Sequence, residues 1–595
     1  MAGTTTMMRF MVAAFMMIHC FSPYIRLTSA QQPNFTYAIE LPFMFLEIQQ
    51  SGYLASWNRF LVDFPDGWRN DSHLDDGEGP SGIGADLRGG WYDAGDHLKI
   101  TLTMSYMLTT LSLGSLVFNQ GYKVAGQDSE LLLHLRWGSD YLLKAHYDVS
   151  DEPSLNSLVA QVGDLYTDHN LYWGRPEQQP QEGVKGTVGW RPVWLASASA
   201  PGANVAGHAA AGLAAASVVL NDTDPAYASS LLSHAKQLFG LASTYPGNWK
   251  PPQGTNPYNS TYYQDEVVLA AAWLCIADNS TCGQVASLWT SAYALMGGEV
   301  NIDWDNSLPM ASAVILNGQV KNSIPYSTGL VTNCTSHLAS IMKTWQATSK
   351  TCSAKQTAPV CYTPSGGFAF LSGWGSSRYT ANAANMALLL AELIPVGTAA
   401  GSAKNQQSWA YSQLSYILGS NPMSTSFLVG YVPSSASGIH FPTQPHHEGA
   451  SCQPDFDVPC NFTNLYLSTP NPETLYGALV GGLENGTSDF SYHDIRSDSQ
   501  GNEAAIDYVA ALSSALASLV QLEAQLPSFC SIPMYMASQC GIGSSAPPPP
   551  SPPTPQPLNF PPRPPSPPPT PLPPQPPYRS ISSNPSPLPI PSSFT

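Results

Sequence analysis

Cations are scarce in this chain. Lysine and arginine together number 23 against 41 aspartates and glutamates, which leaves a formal net charge of -18 over 595 residues. A protein that neutralises a phosphate backbone needs a cationic face, so nucleic acid is excluded as a partner. Charge of either sign is thin, at 11% of positions, and neutral polar partners fit better than ionic ones. Several reaction signatures are also missing: there is no G-x-S-x-G, no H-E-x-x-H, no phosphate-binding G-x-x-x-x-G-K-[ST] and no C-x-x-C. A single G-x-G-x-x-G runs from Gly77 to Gly82, but Pro80 sits inside it and no strand precedes it, so it reads as a loop and no dinucleotide is expected. Long apolar runs are absent as well. The one near the N-terminus, "FMVAAFMMIHCF", falls short of the roughly 20 residues that a membrane span needs, so no membrane partner is expected.

That N-terminal run follows Arg9 and ends near the small residues "TSA" at Ala30, the pattern of a secretory signal over residues 1–30. Eight N-x-[ST] sequons, from Asn34 to Asn485, are compatible with a secreted, extracellular or cell-wall protein. Without Cys20 nine cysteines remain, an odd number. The close pairs Cys275 with Cys282, Cys452 with Cys460 and Cys530 with Cys540 suggest small loop staples, although sequence leaves the connectivity open. The last 50 residues, from Ala546, hold 24 prolines and no acidic group. Proline without apolar partners cannot form a core, so residues 544–595 read as an extended polyproline II tail. Two roles suit it equally, a spacer or a glycosylated stalk like those of plant and algal cell-wall glycoproteins, through which the chain would meet the wall or matrix.

Between signal and tail, residues 31–543 are read as one domain, expected to be a monomer. Alanine-rich stretches with i, i+3, i+4 spacing recur in "AGHAAAGLAAASVVLN", "DEVVLAAAWLCIADN", "RYTANAANMALLLAELI" and "NEAAIDYVAALSSALASLVQL". They predict closely packed buried helices joined by long loops rich in Gly, Pro and Trp. Strand-like alternation is sparse, so the expected fold is all-α with loops building the functional surface.

A chain so poor in charge places two aspartates, Asp93 and Asp96, in the short stretch "GGWYDAGDHLKI". By itself such a turn is most often a solvated cap for backbone amides. In an acidic, tryptophan-rich chain the chemistry that suits it is carbohydrate cleavage. Sugar faces stack on aromatics, and a protonated acid with a second carboxylate can break a glycosidic bond. The chain from about Tyr37 to Leu526 resembles the family 9 glycoside hydrolases, the inverting cellulases. "FMFLEIQQSGYL", "GGWYDAGDHLKI", "QVGDLYTDHNLYWGRPE", "NSTYYQDEVVLAAAWL", "GGFAFLSGWGSSRYTANAANMALL", "YILGSNPMSTSFLVGY", "QPHHEGAS" and "FSYHDIRSDSQGNEAAIDYVAAL" occur in that family's order.

The resemblance implies an (α/α)6 barrel of twelve helices with a cleft across its loop end. It implies Asp96 as the general base, Asp93 as its partner in holding water, and Glu503 as the general acid. Asn502 is expected to cap a helix that begins at Glu503, where the dipole would oppose the protonated state an acid needs. His169, Tyr258, Trp374, Arg378, Tyr379, His446 and Tyr508 are implied as sugar-binding residues. No cofactor is required. A structural calcium held by Asp265, Glu266 and Asp305 is implied by relatives, although the loop "STYYQDE" departs from their pattern. Where relatives read His-His-Arg this chain reads His446-His447-Glu448. Glu448 is expected either to take the arginine's place at a sugar subsite or to face solvent. The function implied is a secreted endo-β-1,4-glucanase (EC 3.2.1.4) acting on β-glucan with inversion. Two other readings are a non-catalytic wall-polysaccharide-binding glycoprotein and an exo-acting cellodextrinase on the same fold.

Overall fold

The computed structural model describes residues 33–525 apart from 65–66, 182, 251–257, 323, 356–357, 395–402 and 435–436. The chain divides into two units, Met1–Ser545 and Ala546–Thr595. The signal expected over residues 1–30, the pair Cys530 and Cys540, and the whole Pro-rich unit lie outside the described residues.

Among the described residues twelve helices have eight or more residues. In chain order they are α1 (Leu41–Ile48), α2 (Thr101–Val117), α3 (Asp128–Ala145), α4 (Ala203–Leu220), α5 (Pro225–Thr244), α6 (Gln264–Asp278), α7 (Cys282–Met296), α8 (Leu308–Lys321), α9 (Thr328–Trp345), α10 (Ser376–Leu393), α11 (Ala403–Ile417) and α12 (Ile506–Gln525). Burial separates them into two sets. The even-numbered helices are buried along most of their length on every side, whereas α3, α5, α7 and α9 bury one stripe and leave the other in water. Packing follows the same alternation. The even helices touch in the order α2, α4, α6, α8, α10, α12 and back to α2, a closed inner ring, and each carries an odd-numbered helix on its outside. This is the expected (α/α)6 barrel.

Small residues make the ring possible. A Cβ added at Gly207 on α4 would lie 2.9 Å from the Cβ of Glu266 on α6, so only glycine permits that approach. Capping fixes where the outer helices begin. Asp224 accepts from the Tyr227 amide before Pro225 opens α5, and Ser327 accepts from the Leu330 amide at the start of α9. The apolar helix α4 is long enough to cross a membrane, but it is an inner-ring helix with 89% of its length buried in the protein.

Two features depart from the sequence reading. Strands are few but they matter: β3 (Ser157–Val162) pairs antiparallel with β1 (Lys99–Ile100), β2 (His146–Asp148) and β4 (Val193–Ser197). Disulfides join Cys275 to Cys282 and Cys452 to Cys460 as the spacing suggests. Cys352 to Cys361 is a third, and Cys334 is free and buried.

Candidate active site

Five loops deliver the predicted residues, and each precedes an even-numbered helix. Asp93 and Asp96 come before α2, His169 before α4, Tyr258 before α6, Trp374 before α10, and His446 and Glu503 before α12. All therefore gather at the same end of the barrel.

The turn with the two aspartates is fixed from several sides. Its backbone closes through the Asp93 amide to the Leu98 carbonyl at 2.8 Å, and the Ile506 amide at the head of α12 donates to the Asp93 carbonyl at 2.9 Å. Gly95 is obligatory because a Cβ there would stand 2.2 Å from the His446 carbonyl oxygen. β1 follows at once, and its register places Lys99 opposite Val162, next to the loop that carries His169. The minor sheet thus ties the aspartate turn to the histidine turn.

The two aspartates differ sharply in surroundings. Asp93 is buried, with Oδ1 accepting from the Thr103 hydroxyl on α2 and Oδ2 from the Tyr258 hydroxyl. Burial and the nearby Asp507 push its carboxyl well above the aspartate range despite those two donors. Asp96 accepts from the Leu98 amide at 3.0 Å and pairs through Oδ2 with His169 Nε2. Burial would raise its carboxyl too, but the imidazolium outweighs it, and Asp96 ends below its ordinary value. His169 answers in the opposite sense. Burial would lower it, yet Asp96 together with Asp168 and Glu503 raises it to about 9. Its ring remains 46% exposed, so it can meet a ligand as well as Asp96.

Glu503 stands in irregular chain before α12, in a parallel bridge with His446, with its carbonyl accepting from the Gly481 amide at 2.8 Å. The helix begins only at Ile506, and Asn502 spends its side chain on His493, Asp498 and Tyr492. Asn502 is therefore not the expected cap, and Glu503 is not in the helix's first turn. Its Oε2 accepts from Trp374 Nε1 at 2.7 Å and from the Tyr508 hydroxyl at 3.2 Å. Burial raises this carboxyl to about 7; the indole donor opposes the shift and Asp96 adds to it.

The predicted sugar-binding residues divide. Trp374 is 47% exposed and offers an open ring. His446 is half-buried, donates from Nδ1 to the Arg496 carbonyl at 2.7 Å and packs edge-on to Trp173. Tyr258 is half-buried and holds Asp93. Arg378 and Tyr508 are buried, and neither is placed as an open sugar contact. The guanidinium lies 4.2 Å from the centre of the half-buried Tyr379 ring and 5.1 Å from that of Tyr508, and donates to Asp507 at 3.1 Å. Of these groups Tyr508 reaches Glu503, and the others pack behind it. Asp507, at the first turn of α12, was missed by sequence reasoning, although a lone carboxylate in the apolar run "IDYVAAL" was its signal.

The expected calcium ligands do not assemble. Both Asp305 oxygens accept from Thr261, at 2.6 and 2.9 Å. Asp265 Oδ2 accepts from the Ser307 amide at 2.7 Å, leaving its Oδ1 and both Glu266 oxygens buried without a donor. Among the described residues no group of three or more His, Cys, Asp or Glu side chains is placed to hold a metal ion. Asp265 and Asp305 both raise the proton affinity of the Glu266 carboxyl, and no step of the chemistry runs through an ion there. Glu448 is corrected as well: it is 2% exposed, neither facing solvent nor lining the cleft.

Two half-buried carboxyls, one low and one near neutrality, thus stand at the open end of an (α/α)6 barrel. The profile of Glycosyl hydrolase family 9 matches residues 35–516. The chain belongs to glycosyl hydrolase family 9. Among its relatives, Endoglucanase 24 of Oryza sativa subsp. japonica is 34% identical over 466 residues, 75% of this chain and 80% of that protein. Endoglucanase 10 of Arabidopsis thaliana is 34% identical over 507 residues, covering 82% and 88%. The endoglucanase structure from the termite Nasutitermes takasagoensis superposes with a TM-score of 0.67 at 33% identity, over 82% of this chain and 99% of that one. Endoglucanase CelQ from Clostridium thermocellum, solved with cellotriose, gives 0.62 at 28% identity, over 84% and 73%. Family 9 membership and the barrel are thereby shown.

Proposed function

We propose that this family 9 chain is a secreted endo-β-1,4-glucanase that hydrolyses cellulose-type β-glucan with inversion. The observation that carries the reading is the divergence of two carboxyls: Asp96 held low by His169, Glu503 raised to about 7. Such divergence sets a base and an acid at one pH. Water held by Asp96 attacks the anomeric carbon, and its proton passes to that carboxylate. The glycosidic C–O bond breaks as the Glu503 proton moves to the departing oxygen. Inverting sites keep roughly 6.5–9.5 Å between the carboxyls to admit that water. Asp93, accepting from Thr103 on one oxygen and from Tyr258 on the other, positions that tyrosine and the turn beside the base. The relatives' names, endoglucanases, and the cello-oligosaccharide bound by CelQ support the substrate class.

Product stereochemistry tests the reading. Fresh product followed by NMR before mutarotation should be the α-anomer, and initial β-anomer would reject inversion. The Pro-rich composition supports an extended tether to wall or matrix. Truncation after Gly543 should then leave melting and activity on soluble glucan unchanged while weakening retention on isolated cell wall.

A further inference from the structure

Behind the base lies a buried polar network whose hydrogen positions can be worked out from the partners. Gln179 Nε2 donates to Asp168 Oδ1 at 2.8 Å and to the Val188 carbonyl, which fixes Oε1 as the acceptor end of that amide. Oε1 faces His97 Nδ1 at 2.9 Å and His73 Nε2 at 2.9 Å, so both of those nitrogens carry hydrogen. His73 Nδ1 is then bare and accepts from the Tyr92 hydroxyl at 2.6 Å. His97 is neutral, because burial drives its imidazole down to about 3, so its Nε2 is also a bare lone pair. That atom is buried and has no hydrogen-bond partner.

The carboxyl of Glu448 faces it. Oε2 stands 3.8 Å from His97 Nε2, a gap that a small rotation of the carboxyl closes, and among the described residues no other carboxylate lies within 4 Å of either ring nitrogen. Glu448 is 2% exposed, and among the described residues its carboxyl accepts a single hydrogen bond, from the Gly174 amide at 3.4 Å. The titratable groups around it are Asp96 and His97 on the base turn, Asp168 after β3, and Tyr172 beyond the histidine turn. Two of these are carboxyls and none is a lysine or arginine. An ionised carboxylate in that company would be buried against like charge with one long donor, the arrangement proteins avoid by keeping the proton. Its backbone completes the picture: the Glu448 amide donates to the Gly95 carbonyl at 2.9 Å, inside the aspartate turn.

We infer that Glu448 is a protonated carboxylic acid that donates its hydroxyl hydrogen to His97 Nε2 and so positions the turn carrying Asp96. One proton completes a chain that runs from Glu448 through His97 and Gln179 to Asp168. His97 adjoins the base and Asp168 adjoins His169, so the network sets the two partners of the Asp96–His169 pair relative to each other. Glu448 is a positioning residue and does not touch substrate. The catalytic part of this inference rests on Asp96 being the base; the protonation part does not.

Glu448→Gln and Glu448→Leu in the full chain separate the two parts. Glutamine keeps a donor toward His97 and cannot titrate; leucine has no donor. In infrared spectra at neutral pH the wild type should show a protonated-carboxyl band that Glu448→Gln lacks, and an unchanged band overturns the proposal. Stability against pH gives a second readout. An acid whose proton is kept only in the folded state contributes stability that is present below its unfolded value and lost as pH rises toward its folded value. Between about pH 5 and 7 the wild-type unfolding constant should therefore rise up to about tenfold per pH unit more than that of Glu448→Gln. Parallel curves would overturn the proposal. For activity, Glu448→Leu should lose about tenfold in kcat with KM little changed, and glutamine should restore most of it. If the band and the stability slope behave as expected but both variants keep full activity, the proton is where it is inferred to be and the positioning role is rejected. If Asp96→Asn proves fully active, it is the base assignment that fails.

Discussion

The two walls of the cleft solve opposite problems with the same functional group. On the base wall, Asp96 sits in a glycine-bearing turn braced by a small sheet and pairs with an imidazolium. On the acid wall, Glu503 is reached by an indole and a phenol, both neutral, while the nearby guanidinium of Arg378 is committed to Asp507. Both carboxyls are half-buried, so depth does not distinguish them. What separates them is whether a cation is allowed to touch the carboxyl. The comparison teaches that proton affinity here is set by the choice of partner, with burial acting as a common upward push.

Removing either group should have the largest effect. Glu503→Gln and Asp96→Asn should each lower kcat by 10²-fold or more while leaving glucan binding nearly intact, as read by steady-state kinetics beside a binding assay. Retention of more than about a tenth of wild-type kcat in either would break the assignment. The next largest effect tests the base wall. His169→Ala removes the cation that lowers Asp96, so the acid limb of the kcat/KM profile should move to higher pH. The alkaline limb, set by a Glu503 that must stay protonated, falls as pH rises through about 7 in the wild type. His169→Ala should therefore narrow the profile.

Trp374→Phe tests the acid wall more gently. The indole donor lowers Glu503, so its loss should carry the alkaline limb to higher pH and broaden the profile, with a kcat loss of about tenfold from the missing hydrogen bond. If this limb stays in place, the indole does not control the acid. The smallest effect is expected from chelation. Because Asp305 is committed to Thr261, EGTA should leave the melting temperature unchanged within error, and a clear fall restored by calcium would show that the three carboxylates do hold an ion.

Much of this was legible in the residues. Alanine-rich periodicity marked α4, α6, α10 and α12 because helical spacing survives wherever a helix packs. The aspartate pair and Glu503 were legible through motif order. Other features were hidden for identifiable reasons. β3 escaped notice because its run "SLVAQV" is buried on nearly all positions and shows no alternation. The start of α12 was placed too early because "GNEAA" looks like a cap followed by a first turn, while a bridge to His446 holds that segment extended. Arg378 and Tyr508 match sugar-binding positions in order, yet both side chains are buried, Tyr508 reaching Glu503 and Arg378 reaching Asp507, and no one-dimensional pattern records which way a side chain turns.

By itself the sequence determined the all-α character and the buried state of the alanine-rich helices, since composition and periodicity are local properties of the chain; the twelve-helix barrel and the candidate carboxyls followed from the order of its family motifs. Tertiary structure alone decided which carboxyl lies low and which high, that Glu448 is enclosed beneath the base turn, and that Asp305 is spent on Thr261. Each of these depends on partners tens to hundreds of residues away, such as the 73 positions between Asp96 and His169 and the 129 between Trp374 and Glu503. Proton affinity follows the electric field and desolvation of the folded site, and those exist only once distant segments have been brought into contact.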